Sequence, residues 1–161
     1  MVSRDYEELF KVLNAHKIKY IVVGAHAVMF YTEPRFTKDM DVWIPTDLND
    51  GERVYEALKT FGAPLKNIKP SDFENPTTIF QMGVAPVRID ILTHVQGVSV
   101  ETAWKNKIRS RYGKVPIYIL GRVDLIKSKK AAGRPQDKLD LVGLTRKRRK
   151  EYVKIRYPIN P

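Results

Sequence analysis

The segment that decides the fold reads VVGAHAVMFYTEPRFTKDMDVWI and covers residues 22–44. It runs from an apolar strand into a glycine, through a short apolar helix stopped by Pro34, and into a second apolar strand. Two carboxylates, Asp39 and Asp41, interrupt that second strand. Ionised carboxylates are costly to bury without a partner or a metal. The pattern therefore indicates either a solvated strand end or a site where a cation lies between the two acids.

Strand geometry separates this acidic pair from three others with the same spacing. The other pairs, which fall in helical or loop sequence, are Asp5/Glu7, Asp50/Glu52 and Asp72/Glu74. Residues i and i+2 point in different directions on a helix, whereas on a strand they project from the same face. Asp39 and Asp41 therefore lie side by side on the strand predicted over 39–44. Such a pair suits Mg²⁺, which keeps several waters and binds substrate phosphates.

A third acid, Asp90, interrupts the apolar strand VRIDIL predicted over 87–92. If this strand pairs with 39–44, Asp90 faces the other two carboxylates. Three convergent carboxylates are what a two-metal phosphoryl-transfer site needs to hold its ions and activate a hydroxyl. The alternative is that Asp90 pairs with the nearby Arg88 or ends its strand in solvent. The occurrence of all three acids on strands favours the metal site.

Gly24 directly follows the strand predicted over 19–23 and precedes a helix predicted over 25–32. A small-residue turn at this position exposes backbone N–H groups at a helix N-terminus, which is a ready anion site. Turns need glycines for conformational reasons as well. Taken alone, this glycine is a weak indication of phosphate binding.

The remaining pattern predicts helices packed around a small mixed sheet, an α/β (α+β) fold in a single domain over 1–161. Further helices are predicted over 4–16, 48–61, 99–107, 123–132 and 136–150, with a strand at 78–82 and a hairpin at 108–120.

The composition of the chain limits the cellular location and the types of site that we expect. The chain has 161 residues and no cysteine, so disulfides and thiolate metal sites are excluded. The charged start of the sequence lacks the apolar run of a signal peptide. The longest apolar stretch, 20–31, is shorter than the ~20 residues that span a bilayer. We therefore expect a soluble, cytoplasmic protein that does not use a membrane as partner.

The net charge of +11 is unevenly distributed along the chain. Residues 1–121 carry 16 basic and 14 acidic residues, whereas the predicted helical C-terminal part, 122–161, carries 13 and 4. A basic half joined to a near-neutral half favours an anionic partner, with nucleic acid or a nucleotide first. The run RKRRK at 146–150 could follow a nucleic-acid backbone. A solvated basic helix end is the alternative.

Within the basic part, Lys127, Lys130 and Arg134 fall at i, i+3 and i+7, on one face if the helix continues that far. Lys130 and Arg134 would then neutralise a bound triphosphate. Asp137 could orient Arg134 through a bidentate pair. The alternative is a stripe that faces solvent, and Lys127 and Lys129 are interpreted as belonging to such a stripe.

Three stretches of the chain together carry a family resemblance. Residues 22–44 resemble the signature of the polymerase β-like nucleotidyltransferase superfamily: an apolar strand, Gly and a small residue, a spacer, and two alternating acids. The sequence RIDIL at 88–92 resembles the strand with that superfamily's third acid. The C-terminal LIKSKKAAGRPQDKLDLVGL, 125–144, is similar to the AbiEii-like toxin branch and related small bacterial nucleotidyltransferases.

The resemblance implies transfer of a nucleoside monophosphate from an NTP to a hydroxyl, with two Mg²⁺ ions or Mn²⁺ in their place. It implies that Asp39, Asp41 and Asp90 bind metal, with Asp90 also helping to deprotonate the acceptor. Gly24 and Ala25 would bind the nucleotide phosphates. The superfamily usually has Ser or Gly at the second of these positions, and Ala25 lacks the hydroxyl of that serine.

Two functions remain open at this point. The first is a nucleotidyltransferase whose acceptor is RNA, a protein or a small molecule, with the basic C-terminal part favouring RNA. The second is a catalytically weak nucleotide- or RNA-binding module, such as one component of a toxin–antitoxin pair with a protein partner. Ala25 supports the second, because it removes a group that could bind a phosphate oxygen.

Overall fold

A computed structural model of the protein describes residues 2–84 and 86–146. Its helices are α1 (Arg4–Ala15), α2 (Gly24–Tyr31), α3 (Gly51–Phe61), α4 (Val100–Asn106), α5 (Arg122–Ala132) and α6 (Pro135–Thr145). Its strands are β1 (Ile21–Val23), β2 (Asp39–Trp43), β3 (Ile79–Met82), β4 (Arg88–Leu92), β5 (Ile108–Tyr112) and β6 (Val115–Ile119). The predicted fold class, a mixed sheet flanked by helices, is confirmed for these residues.

The six strands form one sheet in the order β3-β4-β2-β1-β6-β5. β2 lies at its centre, antiparallel to β1 and parallel to β4. In the parallel pair, Asp39 lies opposite Arg88 and Asp41 opposite Asp90. The three strands that carry the glycine and the acids are thus adjacent, which sets the position of the site.

Alternation along β2 divides its residues between the core and the site. Met40 and Val42 are fully buried in the core, whereas Asp39 and Asp41 point to the other face and are half-buried. Helices α1 and α3 contact each other, and both contribute apolar residues to the core cluster that contains Met40 and Val42. Burial of the alternate apolar residues fixes the register, because a slip of one residue would turn the acids into the core.

The two C-terminal helices are separate elements, as the ranges 123–132 and 136–150 predict. Helix α5 ends at Ala132, and Gly133 follows with a φ of 64° in the left-handed region. The chain then turns, and Arg134 becomes the N-cap residue of a separate helix, α6. The shared face of Lys127, Lys130 and Arg134 depended on a helix that continues to Arg134, and that condition is not met because a left-handed glycine ends α5 first.

Several expectations fall partly or wholly beyond the described residues. Helix α6 ends at Thr145, and of the basic run 146–150 only Arg146 is described. None of the described helices is both long and apolar enough to cross a membrane. The single domain over 1–161 and the cytoplasmic location stay predictions.

Candidate active site

Three carboxylates converge on one face of the sheet. Asp39 and Asp41 come from β2 and Asp90 from β4, and one oxygen of each lies within 4.8 Å of the others. Asp90 is 7% exposed, and its Oδ1 is buried without a hydrogen-bond partner among the described residues. The structure thus brings together the three acids that the sequence singled out.

The guanidinium of Arg88 bridges two of these acids. Its Nη2 donates to Asp39 Oδ2 at 2.6 Å, and its Nε lies 3.2 Å from Asp90 Oδ1. Arg88 is two residues before Asp90 on the same strand and directly opposite Asp39, so all three side chains share one face. The pairing of Asp90 with Arg88, which the sequence offered as an alternative to clustering, occurs together with it. The guanidinium offsets the mutual repulsion of the carboxylates.

Asp41 forms no such ion pair with a described residue, and its pKa shifts accordingly. Burial, together with the negative charges of Asp39 and Asp90, raises the pKa of Asp41 to about 7, although Lys129 and Arg88 oppose the shift. Near neutral pH this carboxyl therefore holds a proton for part of the time. A cation bound beside it would favour the ionised form.

The backbone of helix α2 touches the same carboxylate. Helix α2 begins at Gly24, one residue earlier than predicted, and no side chain caps its N-terminus. Gly24 has a φ of 68°, and a Cβ built on it would lie 2.0 Å from Asp41 Oδ2. Glycine is required here for both reasons. The first N–H groups of α2 thus lie beside the acids, where a phosphate can accept from them.

A buried ionic cluster at the junction of α5 and α6 forms the opposite wall. Lys129 Nζ lies 3.0 Å from Asp137 Oδ1 and 3.1 Å from Asp140 Oδ2. Arg134 Nε donates to Asp137 Oδ2 at 2.7 Å, and its Nη2 is 3.4 Å from Asp137 Oδ1. The expected bidentate pairing of Arg134 with Asp137 is therefore present.

The structure places Lys129, and not the predicted Lys130, at the site. Lys129, interpreted from sequence as facing solvent, is 7% exposed and lines the site. Lys130, which was expected to face the carboxylates, is exposed and lines neither cavity of the site. The sequence signal that could have found Lys129 is the pair of acids on α6, Asp137 and Asp140, whose spacing of three puts them on one helix face.

Arg35 is a second residue that sequence reasoning missed. It lies on the segment between α2 and β2 and pairs with both carboxylate oxygens of Asp140. Gln136 Nε2 also donates to Asp140, at 3.0 Å. Two residues on from Arg35, the Thr37 hydroxyl donates to the backbone carbonyl of Asp39 at 3.3 Å. These bonds tie the segment before β2 to α6 on one side and to the acids on the other.

Two cavities open on either side of this arrangement. The β4 cavity, about 440 Å³, is lined among others by Gln81, Asp90, His94 and Gln96. The α6 cavity, about 540 Å³, is lined among others by Ala25, Arg35, Phe36, Lys38 and Pro135. Both share the residues Gly24, Asp39, Asp41, Lys129, Arg134 and Asp137. The acids therefore lie where ligands entering from two sides would meet.

The comparison with known families agrees with this geometry. Residues 1–144 match a family described as a nucleotidyltransferase of unknown function (DUF6036). The chain belongs to this nucleotidyltransferase family. No curated protein matches it significantly. The match supports the nucleotidyltransferase superfamily and a transferase function in general, and it does not support the AbiEii-like branch.

The site of this nucleotidyltransferase fits divalent metal ions. Its donors are all carboxylate oxygens, which hard cations such as Mg²⁺ and Mn²⁺ prefer. Asp90 Oδ1 accepts no well-aligned hydrogen bond from a described residue although Arg88 Nε lies 3.2 Å away, and Asp41 forms no salt bridge with a described residue. A cation would satisfy both groups.

Proposed function

We propose that the protein transfers a nucleoside monophosphate from an NTP to a hydroxyl acceptor in a reaction that depends on divalent metal. The observation that carries this proposal is the convergence of Asp39, Asp41 and Asp90 beside the uncapped N-terminus of α2. Asp39 and Asp41 would hold two Mg²⁺ ions, or Mn²⁺, together with Asp90. When bound, these ions bind phosphate oxygens and neutralise the charge that develops during transfer.

Asp90 is the residue best suited to accept the acceptor's proton. Asp39 and Asp41 line both cavities, whereas Asp90 lines the β4 cavity and not the α6 cavity. Asp90 Oδ1 lies 3.2 Å from Arg88 Nε but accepts no well-aligned hydrogen bond from a described residue. The acceptor oxygen bonds to the α-phosphorus, and the bond from that phosphorus to the bridging oxygen of the β-phosphate breaks. Pyrophosphate leaves with the electron pair, and the acceptor's proton passes to Asp90.

The donor phosphates have a complementary set of groups on the α6 side. The N–H groups at Gly24 and Ala25 and the guanidinium of Arg134 line the α6 cavity. The side chain of Arg134 is 74% exposed although Asp137 orients it, so it can still reach a ligand. Lys129 differs from Arg134, because Asp137 and Asp140 already neutralise it, and we infer that it positions α6 relative to the acids.

Label transfer tests the proposal. The protein is incubated with each α-labelled NTP, Mg²⁺, and total RNA or cell lysate. We expect label in a product with the wild type and none with Asp41→Asn. Arg134→Ala should cut transfer by about 10²-fold, as for loss of a preorganised electrostatic contact, whereas the exposed Lys130→Ala serves as the matched control. Absence of transfer and of NTP consumption with every acceptor pool would overturn the proposal.

A second candidate, a nucleotide- or RNA-binding module with weak catalysis, rests on two observations. Ala25 lacks a hydroxyl for a phosphate oxygen, and Arg88 bridges two of the acids that metal would use. Tight NTP binding without turnover would favour this candidate, including its form as a toxin–antitoxin component. RNA as the acceptor is tested separately: Arg148→Ala with Arg149→Ala should weaken RNA binding and flatten its salt dependence without changing nucleotide affinity.

A further inference from the structure

The mouth of the α6 cavity carries a large aromatic side chain in an unusual setting. Phe36 is 76% exposed, yet it lines the same cavity as Asp39 and Asp41. Single exposed apolar residues are common on protein surfaces and need no explanation by themselves. What distinguishes Phe36 is its position at a cavity whose floor is polar and charged.

Both sequence neighbours of Phe36 are anchored to the protein. Arg35 pairs with the buried carboxylate of Asp140, whose side chain is 1% exposed. Thr37 donates to the backbone carbonyl of Asp39. Because residues 35 and 37 are both tied down, the backbone that carries the ring is held at the cavity mouth. Order in this backbone before a ligand binds lowers the entropy cost of binding.

The charges around Phe36 define the ligand that this cavity would take. Lys38 and Arg134 line it, together with the start of α2 at Gly24 and Ala25. Once metal ions neutralise Asp39 and Asp41, these groups suit an anion beside the acids, and the ring offers a flat apolar face in the same cavity. Asp90, the proposed proton acceptor, lies outside this cavity and lines the β4 cavity. A ligand with a polyphosphate end and an aromatic end matches the α6 cavity.

We propose that Phe36 is the stacking platform for the nucleobase of the donor NTP. This inference rests on the proposed nucleotidyl transfer and adds to it the position and means of base binding. Stacking on an aromatic ring is tolerant of base identity, because every base has a π-face. Phe36 therefore supplies affinity for all four NTPs, and any choice among them comes from other groups.

Comparing the affinity for an NTP with the affinity for inorganic tripolyphosphate, which has no base, measures what the nucleoside contributes to binding. Dissociation constants of ATP, GTP, CTP, UTP and tripolyphosphate are measured by calorimetry with Mg²⁺ on the full chain. Phe36→Ala should raise the dissociation constant of every NTP by about tenfold or more, in the range for loss of one base–aromatic stack. The affinity of the Phe36→Ala variant for tripolyphosphate should equal that of the wild type. Phe36→Tyr and Phe36→Trp should retain NTP affinity, and Leu139→Ala, at a site 67% exposed on α6, is the control.

The outcomes separate this inference from the function on which it rests. If wild type binds NTP more tightly than tripolyphosphate and Phe36→Ala does not change that difference, the base lies elsewhere and the inference is wrong. Equal affinity of the wild type for NTP and tripolyphosphate would also overturn it, since the base would then make no contact. Failure of the wild type to bind either ligand would overturn the proposed function itself. An unchanged melting temperature of the Phe36 variants without ligand excludes misfolding as the cause.

Discussion

Gly24 and Asp41 lie in direct contact: a Cβ on Gly24 would fall 2.0 Å from Asp41 Oδ2. The contact joins the start of α2, where a phosphate can bind, to a carboxylate of the metal cluster. It also makes the glycine at this position a requirement of the site as well as of the turn.

Gly24→Ala should therefore destabilise the protein and abolish nucleotide binding. The natural control is Gly62→Ala, because Gly62 is also left-handed, with a φ of 96°, but has no atom within 4 Å of an added Cβ. The control should cost about 1–2 kcal/mol of unfolding free energy from backbone strain alone. Gly24→Ala should cost about 1–3 kcal/mol more through overpacking. Urea denaturation of both variants measures the difference, and equal costs would contradict the contact.

Removing one charge from the cluster should abolish the stabilisation of the protein by Mg²⁺ with NTP. In the wild type, Mg²⁺ with NTP should raise the melting temperature, since a ligand that binds only the native state stabilises it. Asp41→Asn should lose that rise while its metal-free form stays folded, because the substitution relieves carboxylate repulsion. Thermal denaturation with and without ligand measures both effects. An equal ligand-induced shift in wild type and variant would mean that the nucleotide binds elsewhere.

Stability of the metal-free protein should depend on pH through Asp41. Its pKa is about 7 in the folded protein against 3.8 for an unperturbed aspartate. Between these values the folded state binds more protons than the unfolded state, so the contribution of Asp41 to stability falls as pH rises. In EDTA, Asp41→Asn should therefore gain stability relative to wild type from pH 4 to pH 7.5. The exposed Asp47→Asn should show no such trend, and a parallel trend in both variants would refute the assignment.

The same substitution at two adjacent lysines should change the unfolding free energy by very different amounts. Lys129→Met removes the cation shared by Asp137 and Asp140, which are almost fully buried. Asp137 keeps its pair with Arg134 and Asp140 keeps its pair with Arg35, so the loss should lie toward the lower end of the about 3–5 kcal/mol that breaking a buried ion pair costs. Lys130→Met changes an exposed side chain and should alter the unfolding free energy by at most about 0.5 kcal/mol. Similar denaturation midpoints for the two variants would argue against the buried cluster.

Arg88 should compete with metal for the acids. Arg88→Gln removes the cation that bridges Asp39 and Asp90, so the metal-free protein should melt at a lower temperature than the wild type. The rise in melting temperature on adding Mg²⁺ should then be larger than in the wild type, because metal now relieves more repulsion. Arg109→Gln, exposed on β5, is the matched control. A smaller rise in Arg88→Gln would mean that the arginine assists metal binding.

The sequence by itself determined the elements of the site that depend on local periodicity. The period of two along 39–44 puts Asp39 and Asp41 on one face, because the apolar residues between them must face the core. A glycine between a strand and an apolar helix predicted the start of α2 to within one residue. Local geometry alone decides such features, so they can be read without the fold.

Tertiary structure alone decided which charged groups of α5, α6 and the segment before β2 pair with one another across elements. Arg35 and Asp140 are 105 residues apart in sequence, and nothing local to either predicts their pairing. The choice between Lys129 and Lys130 is a rotation of about 100° about the helix axis. Buried Leu125, four residues before Lys129, marks the core face of α5, but one buried leucine does not by itself set that choice. The choice is fixed instead by where Gly133 turns the chain, because α6 then brings Asp137 and Asp140 against one lysine only. Buried ion pairs require partners from distant elements, and packing of those elements selects them.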